Sequence, residues 1–146
     1  MSISVKFRMS AGDEDLKPTK AHHDDAAFDV RSRVATRLTV GEVTRVPTGL
    51  FLELPTGFEA QIRPRSGLAA KHAVTIPNSP GTIDAGYRGE VCVIMLNLGK
   101  EDFPIARGDR VAQMVIQKLP DVELVLADDL AESKRGAGGF GSTGLG

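Results

Sequence analysis

The sequence has few of the residues that stabilise or target proteins in several common ways. Its 146 residues include no tryptophan, one tyrosine and a single cysteine, Cys92. A lone cysteine excludes an internal disulfide, and the neighbours Val91 and Val93 predict a buried, unreactive thiol. No apolar run approaches the roughly 18 residues that cross a bilayer, so we expect no membrane partner. The first residues lack a signal-peptide pattern, and we therefore expect a cytoplasmic protein.

An excess of charge of either sign is also missing, because the formal net charge is −1. Without a strongly basic surface, we expect no nucleic-acid partner. A small anionic ligand is still compatible with this composition, since a few local arginines suffice to bind one. The chain is long enough for one domain around one core.

Short apolar stretches separated by turn residues run through most of the chain, with glycine or proline between them. The predicted strands are Val5–Met9, Ala27–Ser32, Leu38–Val40, Glu42–Pro47, Leu50–Leu54, Phe58–Arg63, Val74–Ile76, Val91–Leu98, Arg110–Leu119 and Glu123–Leu126. Only Gly67–His72 is predicted to be helical. This pattern is typical of an all-β sandwich or barrel, and the lack of alternating long helices disfavours a doubly wound α/β fold.

The stretch Val91–Leu96 is apolar at every position. A strand in a sheet with one solvated face would alternate between apolar and polar residues. Continuous apolarity therefore predicts that both faces are covered, by a second sheet or by another subunit. In a domain of this size, a subunit contact is a reasonable expectation.

The end of the chain differs in composition from the rest. Residues 132–146 are rich in glycine and contain one arginine, Arg135, and one aromatic residue, Phe140. Such a segment cannot build a core, so a disordered tail is one interpretation. The other is a mobile lid in which Arg135 binds a phosphate and Phe140 stacks on a base. We predict a β domain over residues 1–131 and a flexible arm over 132–146.

One acidic residue stands in unusual surroundings. Asp84 follows Ile83, lies between glycines and precedes Tyr87. An acid in such a place is poorly suited to solvent, and we expect it to be paired, hydrogen-bonded or chemically employed. The alternative is that Asp84 closes a turn before the strand that follows, as aspartate often does.

Two further segments are candidates for binding an anion. Arg65 and Ser66 precede Gly67 at the predicted start of a short helix, where free N–H groups favour phosphate. The alternative is an ordinary Ser66 N-cap beside a solvated arginine. Gln113 interrupts the apolar strand Arg110–Leu119, and a buried amide there needs a hydrogen-bond partner.

Taken together, these segments resemble the ordered motifs of the trimeric dUTPase family. The segments that carry the resemblance are Asp25–Val30, Pro64–Lys71, Gly81–Glu90, Arg107–Ile116 and Arg135–Gly144. The resemblance implies a distorted jelly roll or β-barrel that assembles as a homotrimer, with active sites between subunits closed by C-terminal arms. It implies hydrolysis of dUTP to dUMP and pyrophosphate, which limits uracil in DNA and supplies dUMP for thymidylate synthesis.

The same resemblance implies roles for residues near Asp84. Asp84 would orient and deprotonate the water that attacks the α-phosphorus. Asn78 would read the uracil edge, and Tyr87 would pack beneath deoxyribose and exclude a 2′-hydroxyl. Thr82 and Ile83 would also contact the substrate.

Other residues are implied to hold the triphosphate. Those of the β domain are Arg65, Ser66, Gly67 and Gln113. From the arm, Arg135 and Gly141 would cover the phosphates and Phe140 would stack on uracil. Mg²⁺ would be held by the phosphates and waters rather than by side chains. Asp29 would act behind the site, on a neighbouring arginine or a metal-bound water.

The chain departs from the family pattern at two positions and leaves two other functions open. Ala27 replaces a glycine, which requires a negative φ there, and Gly86 replaces a frequent aspartate.

The dCTP deaminase branch of the fold needs a glutamate within the strand after Asp84, and the stretch Val91–Leu96 has no acid. A non-enzymatic binding module could lack the water-activating Asp84 or the arm, and both are present.

Overall fold

The protein folds almost entirely into β-strands, as a computed structural model that describes residues 2–146 shows. The strands are β1 Lys6–Met9, β2 Phe28–Arg31, β3 Thr36–Leu38, β4 Val43–Glu53, β5 Phe58–Arg63, β6 Val74–Thr75, β7 Gly81–Ile83, β8 Glu90–Asn97, β9 Phe103–Ile105 and β10 Arg110–Lys118. One helix, α1, spans Ser66–His72, and a 3₁₀ turn spans Glu14–Leu16. The prediction of an all-β, jelly-roll-like fold is confirmed.

Two four-stranded antiparallel sheets form the body. Their strand orders are β1-β4-β8-β6 and β2-β10-β5-β7, and β3 pairs with β9 in a separate two-stranded sheet. The core is one cluster of aliphatic side chains contributed by both sheets, with Val46, Leu50, Val93 and Met95 almost inaccessible to solvent. Alternation along each strand turns these residues inward and leaves their neighbours for the outer faces.

The predicted strands Glu42–Pro47 and Leu50–Leu54 are in fact one long strand, β4. Its pairing with β8 shifts register between Pro47 and Leu50, which marks a bulge. Gly49 lies in this bulge at φ +71°, a conformation that favours glycine. A bulge bends a strand without ending it, so the glycine does not separate two strands here.

Other strand predictions also need correction. The strand expected at Leu38–Val40 lies earlier, at Thr36–Leu38, and two short strands, β7 and β9, were not predicted. The strand expected at Glu123–Leu126 is wrong, because these residues form no strand. A strand needs a hydrogen-bonded neighbour, and this segment has none among residues 2–146.

The expectation that both faces of the Val91–Leu96 stretch are covered is not met within one chain. Burial alternates along β8: Val91, Val93 and Met95 are buried, whereas the residues between them are only half-buried. Cys92 is one of these half-buried residues, so the prediction of a buried thiol is wrong. The inward face packs in the core, and the outward face presents apolar side chains at the surface.

After β10 the chain leaves the body. The Leu119 N–H donates to Gly57 O at 2.8 Å, and no later hydrogen bond to the body is found among residues 2–146. Leu124 and Leu126 are 94% and 99% exposed. Fully exposed leucines close together are unusual on the surface of a monomer, because large apolar side chains are normally buried against other apolar groups.

Candidate active site

A cleft of about 420 Å³ opens beside the edge strand β7. It collects five of the predicted substrate and catalytic residues: Asn78, Thr82, Ile83, Asp84 and Tyr87. They come together because β7 is short and the chain turns at both of its ends. The cleft is therefore built mainly from one segment, residues 78–87, against β8, and Arg45, Ile62 and Ile76 complete its lining.

Asp84 is exposed in the isolated chain, so its glycine-rich, apolar sequence surroundings do not remove it from solvent there. Its backbone carbonyl accepts the Tyr87 N–H at 3.1 Å and thereby closes a turn. Among residues 2–146 its carboxylate has neither a hydrogen bond nor an ion pair. The turn interpretation thus accounts for the backbone of Asp84 but leaves its carboxylate free, facing the cleft.

Two glycines make room for the polar side chains of this cleft. A Cβ on Gly81 would lie 3.2 Å from the Asn78 amide nitrogen. A Cβ on Gly89 would lie 2.6 Å from Cζ of the Tyr87 ring. The Tyr87 hydroxyl donates to Glu90 O at 2.9 Å, so the ring folds back over Gly89. Side chains at these two positions would displace the residues expected to contact base and sugar.

Arg88 holds the same loop in place through hydrogen bonds, a role that was not predicted from the sequence. Its Nη1 donates to Ala85 O at 2.6 Å and to Tyr87 O at 3.2 Å. Carbonyl groups in a tight loop need donors, and one guanidinium serves two of them. An arginine next to a glycine-rich turn was the available signal for this role.

A second cleft, of about 480 Å³, lies beside the start of α1. Arg65, Ser66 and Gln113 line it, whereas Gly67 does not. The Gln113 Nε2 donates to Pro64 O at 2.8 Å, so the expected partner for this amide exists. Ser66 is the first helical residue and Arg65 the N-cap, without a side-chain capping bond. The interpretation of Ser66 as an ordinary N-cap is therefore wrong.

Asp29 lies behind this second cleft and faces two arginines. Its Oδ1 is 3.8 Å from Arg65 Nε, and its Oδ2 is 3.5 Å from Arg110 Nη1. Arg65 also donates to Arg110 O at 3.2 Å. Asp29 thus stands beside an arginine that is expected to bind phosphate. Ala27, in the preceding loop, does not have a positive φ, so it fits where the family has glycine.

The two clefts share no lining residue. Strand β5 contributes to both: Ile62 lines the first, whereas Gln61 and Arg63 line the second. Successive side chains of a strand point to opposite faces. Within one chain, the residues expected to bind base and sugar are therefore separated from those expected to bind phosphate.

The arm residues are in neither cleft. Arg135 Nε donates to Gly138 O at 2.6 Å, within the arm itself. Phe140 is fully exposed at φ +52°, and Gly141 adopts φ +78°. Their roles remain predictions, because the structure brings none of them to Asp84 or Arg65.

Two observations bear on metal and thiol chemistry. Within residues 2–146, no three histidine, cysteine, aspartate or glutamate side chains converge as a metal site. Partial burial, and secondarily the charge of Glu90, raise the pKa of the Cys92 thiol. A raised pKa lowers the thiolate fraction near neutral pH, so Cys92 is a poor nucleophile.

No helix in the described part of the chain is long and apolar enough to cross a membrane.

Comparison with known proteins gives consistent matches over nearly the whole chain. The dUTPase family model matches residues 14–144. A deoxyuridine 5'-triphosphate nucleotidohydrolase from Solibacter usitatus is 57% identical over 131 residues, which cover 88% of each chain. One of the same name from Caulobacter vibrioides is 47% identical over 98% of this chain and 96% of its own.

Solved structures resemble the fold as well. The dUTPase of Staphylococcus bacteriophage 80alpha, determined with dUPNHPP, superposes with a TM-score of 0.90 at 24% identity, over 99% of this chain and 100% of its own. A mutant dUTPase from phage phi11 of S. aureus, with a structural Mg(II) ion, has a TM-score of 0.78 at 23% identity, over 87% and 98% of the two chains. At these identities, the likeness concerns the fold.

Proposed function

The chain belongs to the dUTPase family, and on that premise we propose that it hydrolyses dUTP to dUMP and pyrophosphate. The observation that carries the proposal is the joint presence of Asn78, Asp84 and Tyr87 in one cleft of a chain 57% identical to a deoxyuridine 5'-triphosphate nucleotidohydrolase. The reaction needs three groups: an amide that hydrogen-bonds the base (Asn78), an unpaired carboxylate that accepts a proton (Asp84) and an aromatic ring that packs on the sugar (Tyr87).

Asp84 is proposed as the general base. Its carboxylate has no partner among the described residues, so it is available to accept a proton from water. The water oxygen then bonds to the α-phosphorus, and the bond from that phosphorus to the bridging oxygen of pyrophosphate breaks. Positioned general-base help of this kind contributes about 10²–10⁴ in rate.

Recognition of the nucleotide is proposed to divide between the two clefts. Asn78 hydrogen-bonds the uracil edge, while Tyr87 packs on deoxyribose, and Thr82 and Ile83 complete that wall. The phosphates bind at the second cleft: the residues proposed there are Arg65, Ser66, Gly67 and Gln113. Asp29 holds Arg65 in place, because its carboxylate lies within 3.8 Å of the guanidinium.

A composite site explains why these two groups of residues are apart in one chain. If two copies face each other, the first cleft of one meets the second cleft of the next. A closed ring of such heterologous contacts gives a cyclic oligomer, and we propose the homotrimer that the family resemblance implies. The half-buried apolar face of β8, with Ile94 and Leu96, then has a subunit to cover it.

The arm, residues 132–146, is proposed to close over bound substrate. Arg135 and Gly141 cover the phosphates, and Phe140 stacks on uracil, a contact worth about 1–3 kcal/mol. The β domain is proposed to extend to residue 131. The exposed leucines 124 and 126 fit a segment that crosses to a neighbouring copy before the arm begins.

Mg²⁺ is proposed as the cofactor, held by the phosphates of the bound nucleotide and by water. The described residues contain no three-ligand cluster, and a hard cation on a nucleotide needs only phosphate oxygens and water. When bound, the ion would neutralise phosphate charge. Arg65 and Gln113 orient the triphosphate that holds the ion. We also propose that the protein acts in the cytoplasm.

The deaminase alternative needs one correction. Strand β8 begins at Glu90, one residue earlier than predicted, so it does carry an acid. That carboxylate lies 3.3 Å from Arg33 Nη1 and accepts the Gly49 N–H at 3.3 Å, so it is already engaged. An acid tied to an arginine and an amide is poorly available to shuttle protons. Diphosphatase chemistry is thus the better supported function.

A product assay tests the proposal. Purified protein is incubated with Mg²⁺ and dUTP, dCTP, dTTP or UTP, and pyrophosphate and ammonia are both measured. We expect pyrophosphate from dUTP alone, since a site built to hydrogen-bond one base edge rejects others by about 10⁴–10⁵. Ammonia from dCTP would indicate a deaminase, and binding of dUTP without any product would indicate a non-enzymatic module.

A further inference from the structure

A chain of ion pairs lies next to the loop that carries Tyr87. Arg33 is at its centre: its Nε is 2.8 Å from Asp13 Oδ2, and its Nη1 is 3.3 Å from Glu90 Oε1. Arg107 Nη2 lies 3.0 Å from the other oxygen of Asp13. Asp13 is 6% exposed. A carboxylate so far from water is tolerated only when it is paired, so these contacts constrain the positions of both arginines.

Glu90 connects this cluster to the first cleft. The residue borders that cleft, and its Oε1 accepts the N–H of Gly49 in the β4 bulge. Its backbone carbonyl accepts the hydroxyl of Tyr87 at 2.9 Å. Arg33 is itself fixed, because its N–H donates to Pro47 O at 3.0 Å. Glu90 is therefore held through its side chain by Arg33 and Gly49. Its backbone carbonyl in turn holds the ring of Tyr87.

Few other contacts determine where Tyr87 lies. The residue is 46% exposed, and the hydroxyl bond to Glu90 is its only side-chain hydrogen bond among residues 2–146. The ring passes over Gly89, which offers no side chain to pack against. The position of the phenol therefore depends on where the carbonyl of Glu90 stands.

We propose that Arg33 and Glu90 are positioning residues that set the orientation of Tyr87 and thereby the sugar selectivity of the cleft. The inference rests on the proposed function, in which Tyr87 packs on deoxyribose and excludes the 2′-hydroxyl. Neither side chain touches the nucleotide in this scheme. Both act through the ring, because they fix the carbonyl that binds its hydroxyl.

A purely structural role for the cluster makes a different prediction. If Arg33 and Glu90 only stabilise the fold, their loss lowers the melting temperature and reduces activity equally for every substrate. If they position Tyr87, their loss changes the ratio of kcat/KM for dUTP to that for UTP. The ratio is insensitive to the fraction of enzyme that is folded, so it separates the two roles.

The experiment compares Glu90→Gln, Arg33→Gln and Arg33→Lys. We expect the dUTP-to-UTP ratio to fall by about tenfold in the first two, since small misplacements at a site can cost up to about 10²-fold. The loss should lie mainly in KM for dUTP, with kcat changed less. Arg33→Lys keeps the charge that Asp13 needs but not both contacts, so it should fold and still show a reduced ratio.

Two controls complete the test. Arg37→Gln removes an exposed arginine that is 3.7 Å from Asp102 in a remote ion pair, and it should leave the ratio unchanged. In a Tyr87→Phe background the hydroxyl is absent, so Arg33→Gln should cause no further loss of selectivity, a non-additivity expected of coupled residues.

An unchanged ratio in both Glu90→Gln and Arg33→Gln, or fully additive losses with Tyr87→Phe, would overturn the inference while leaving the proposed function intact. If the unmodified protein fails to release pyrophosphate from dUTP, the proposed function itself fails. Failure of the inference is thus seen in the variants, whereas failure of the proposed function is seen in the unmodified protein.

Discussion

Gln113 Nε2 and the carbonyl oxygen of Pro64 are joined by a hydrogen bond of 2.8 Å, which ties strand β10 to the loop entering α1. Both residues line the second cleft, beside Arg65 and Ser66. A glutamine inside an otherwise apolar strand is thus explained by the loop it supports. The amide oxygen of Gln113 has no protein partner among the described residues.

Removing this amide should affect stability and substrate binding together. In Gln113→Ala, Pro64 O loses its donor, and we expect unfolding to become easier by about 1–3 kcal/mol, the cost of an unsatisfied polar group. KM for dUTP should also rise. Gln117→Ala, on the same strand and without a side-chain hydrogen bond, is the matched control for denaturant melts and kinetics. Equal behaviour of the two variants would contradict the assignment.

Asp84→Asn should abolish most turnover without unfolding the protein. The carboxylate makes no hydrogen bond or ion pair within residues 2–146, so its replacement costs no folding contact. Losing a positioned base should lower kcat by at least about 10²-fold, while dUTP binding persists. Asp121→Asn, exposed and after the last strand, serves as the control. A kcat near that of the control would show that Asp84 is not the base.

Gly89→Ala tests the room that the Tyr87 ring requires. The new Cβ would lie 2.6 Å from Cζ of the ring, closer than side chains tolerate, so the ring must move. We expect selectivity for dUTP over UTP to drop by about 10-fold or more, because misplacement at the sugar weakens discrimination. Gly86→Ala meets nothing within 4 Å and is the control in the same loop. Kinetics with both substrates distinguish them.

Cys92 should react slowly with alkylating reagents. Its pKa is raised, first by burial and then by the charge of Glu90. A raised pKa means a smaller thiolate fraction than in the unfolded chain at the same pH, so native labelling should need a higher pH than unfolded labelling to reach the same rate. Iodoacetamide labelling followed by mass spectrometry, native against urea-unfolded, checks this. Native labelling as fast as unfolded labelling at pH 8 would disprove it.

The acid limit of stability should depend on Asp15. Hydrogen bonding to Arg107 lowers the pKa of this carboxyl. A lowered folded pKa adds stability above the unfolded value of about 3.9, and that contribution is lost as pH falls through the folded pKa. Asp15→Asn should therefore flatten the decline of melting temperature as pH falls below the unfolded value of about 3.9. The effect should be small because Asp15 is exposed, and an unchanged pH profile would exclude it.

How much could be foreseen differs between the body and the site. Phe58–Arg63 was predicted at its observed bounds, because apolar alternation and flanking turns determine such a strand locally. β7 was missed, since Gly81 to Ile83 is too short a stretch to show alternation and becomes a strand only through its pairing with β5. Tertiary pairing, which the sequence does not display, decides elements this short.

The site shows the same division. The residues that meet in the first cleft come from one segment, so the sequence order already implied their proximity. The link from Arg33 to Glu90 joins residues 57 positions apart, and nothing local indicates it. Likewise, the sequence does not reveal that Asp84 is exposed in one chain, because its exposure depends on the tertiary packing around the end of β7.

Two truncations test how the chain's end divides between assembly and catalysis. Removing residues 135–146 deletes most of the arm and nothing else, and these residues make no hydrogen bond to the body among residues 2–146, so folding and melting temperature should change little. kcat/KM for dUTP should fall severely, because Arg135 and Phe140 are lost.

Removing residues 120–146 deletes in addition the exposed Leu124 and Leu126, which are apolar and lack cover in one chain. If a neighbouring copy buries them, each contributes about 1.5–3 kcal/mol to assembly, so this longer truncation should dissociate at concentrations where the shorter one stays trimeric. Sedimentation velocity at micromolar concentration, with melting curves for both, measures the difference. Full activity of the shorter truncation would exclude the arm as a lid. An unmodified protein that sediments as a 15.5 kDa monomer would exclude the trimer.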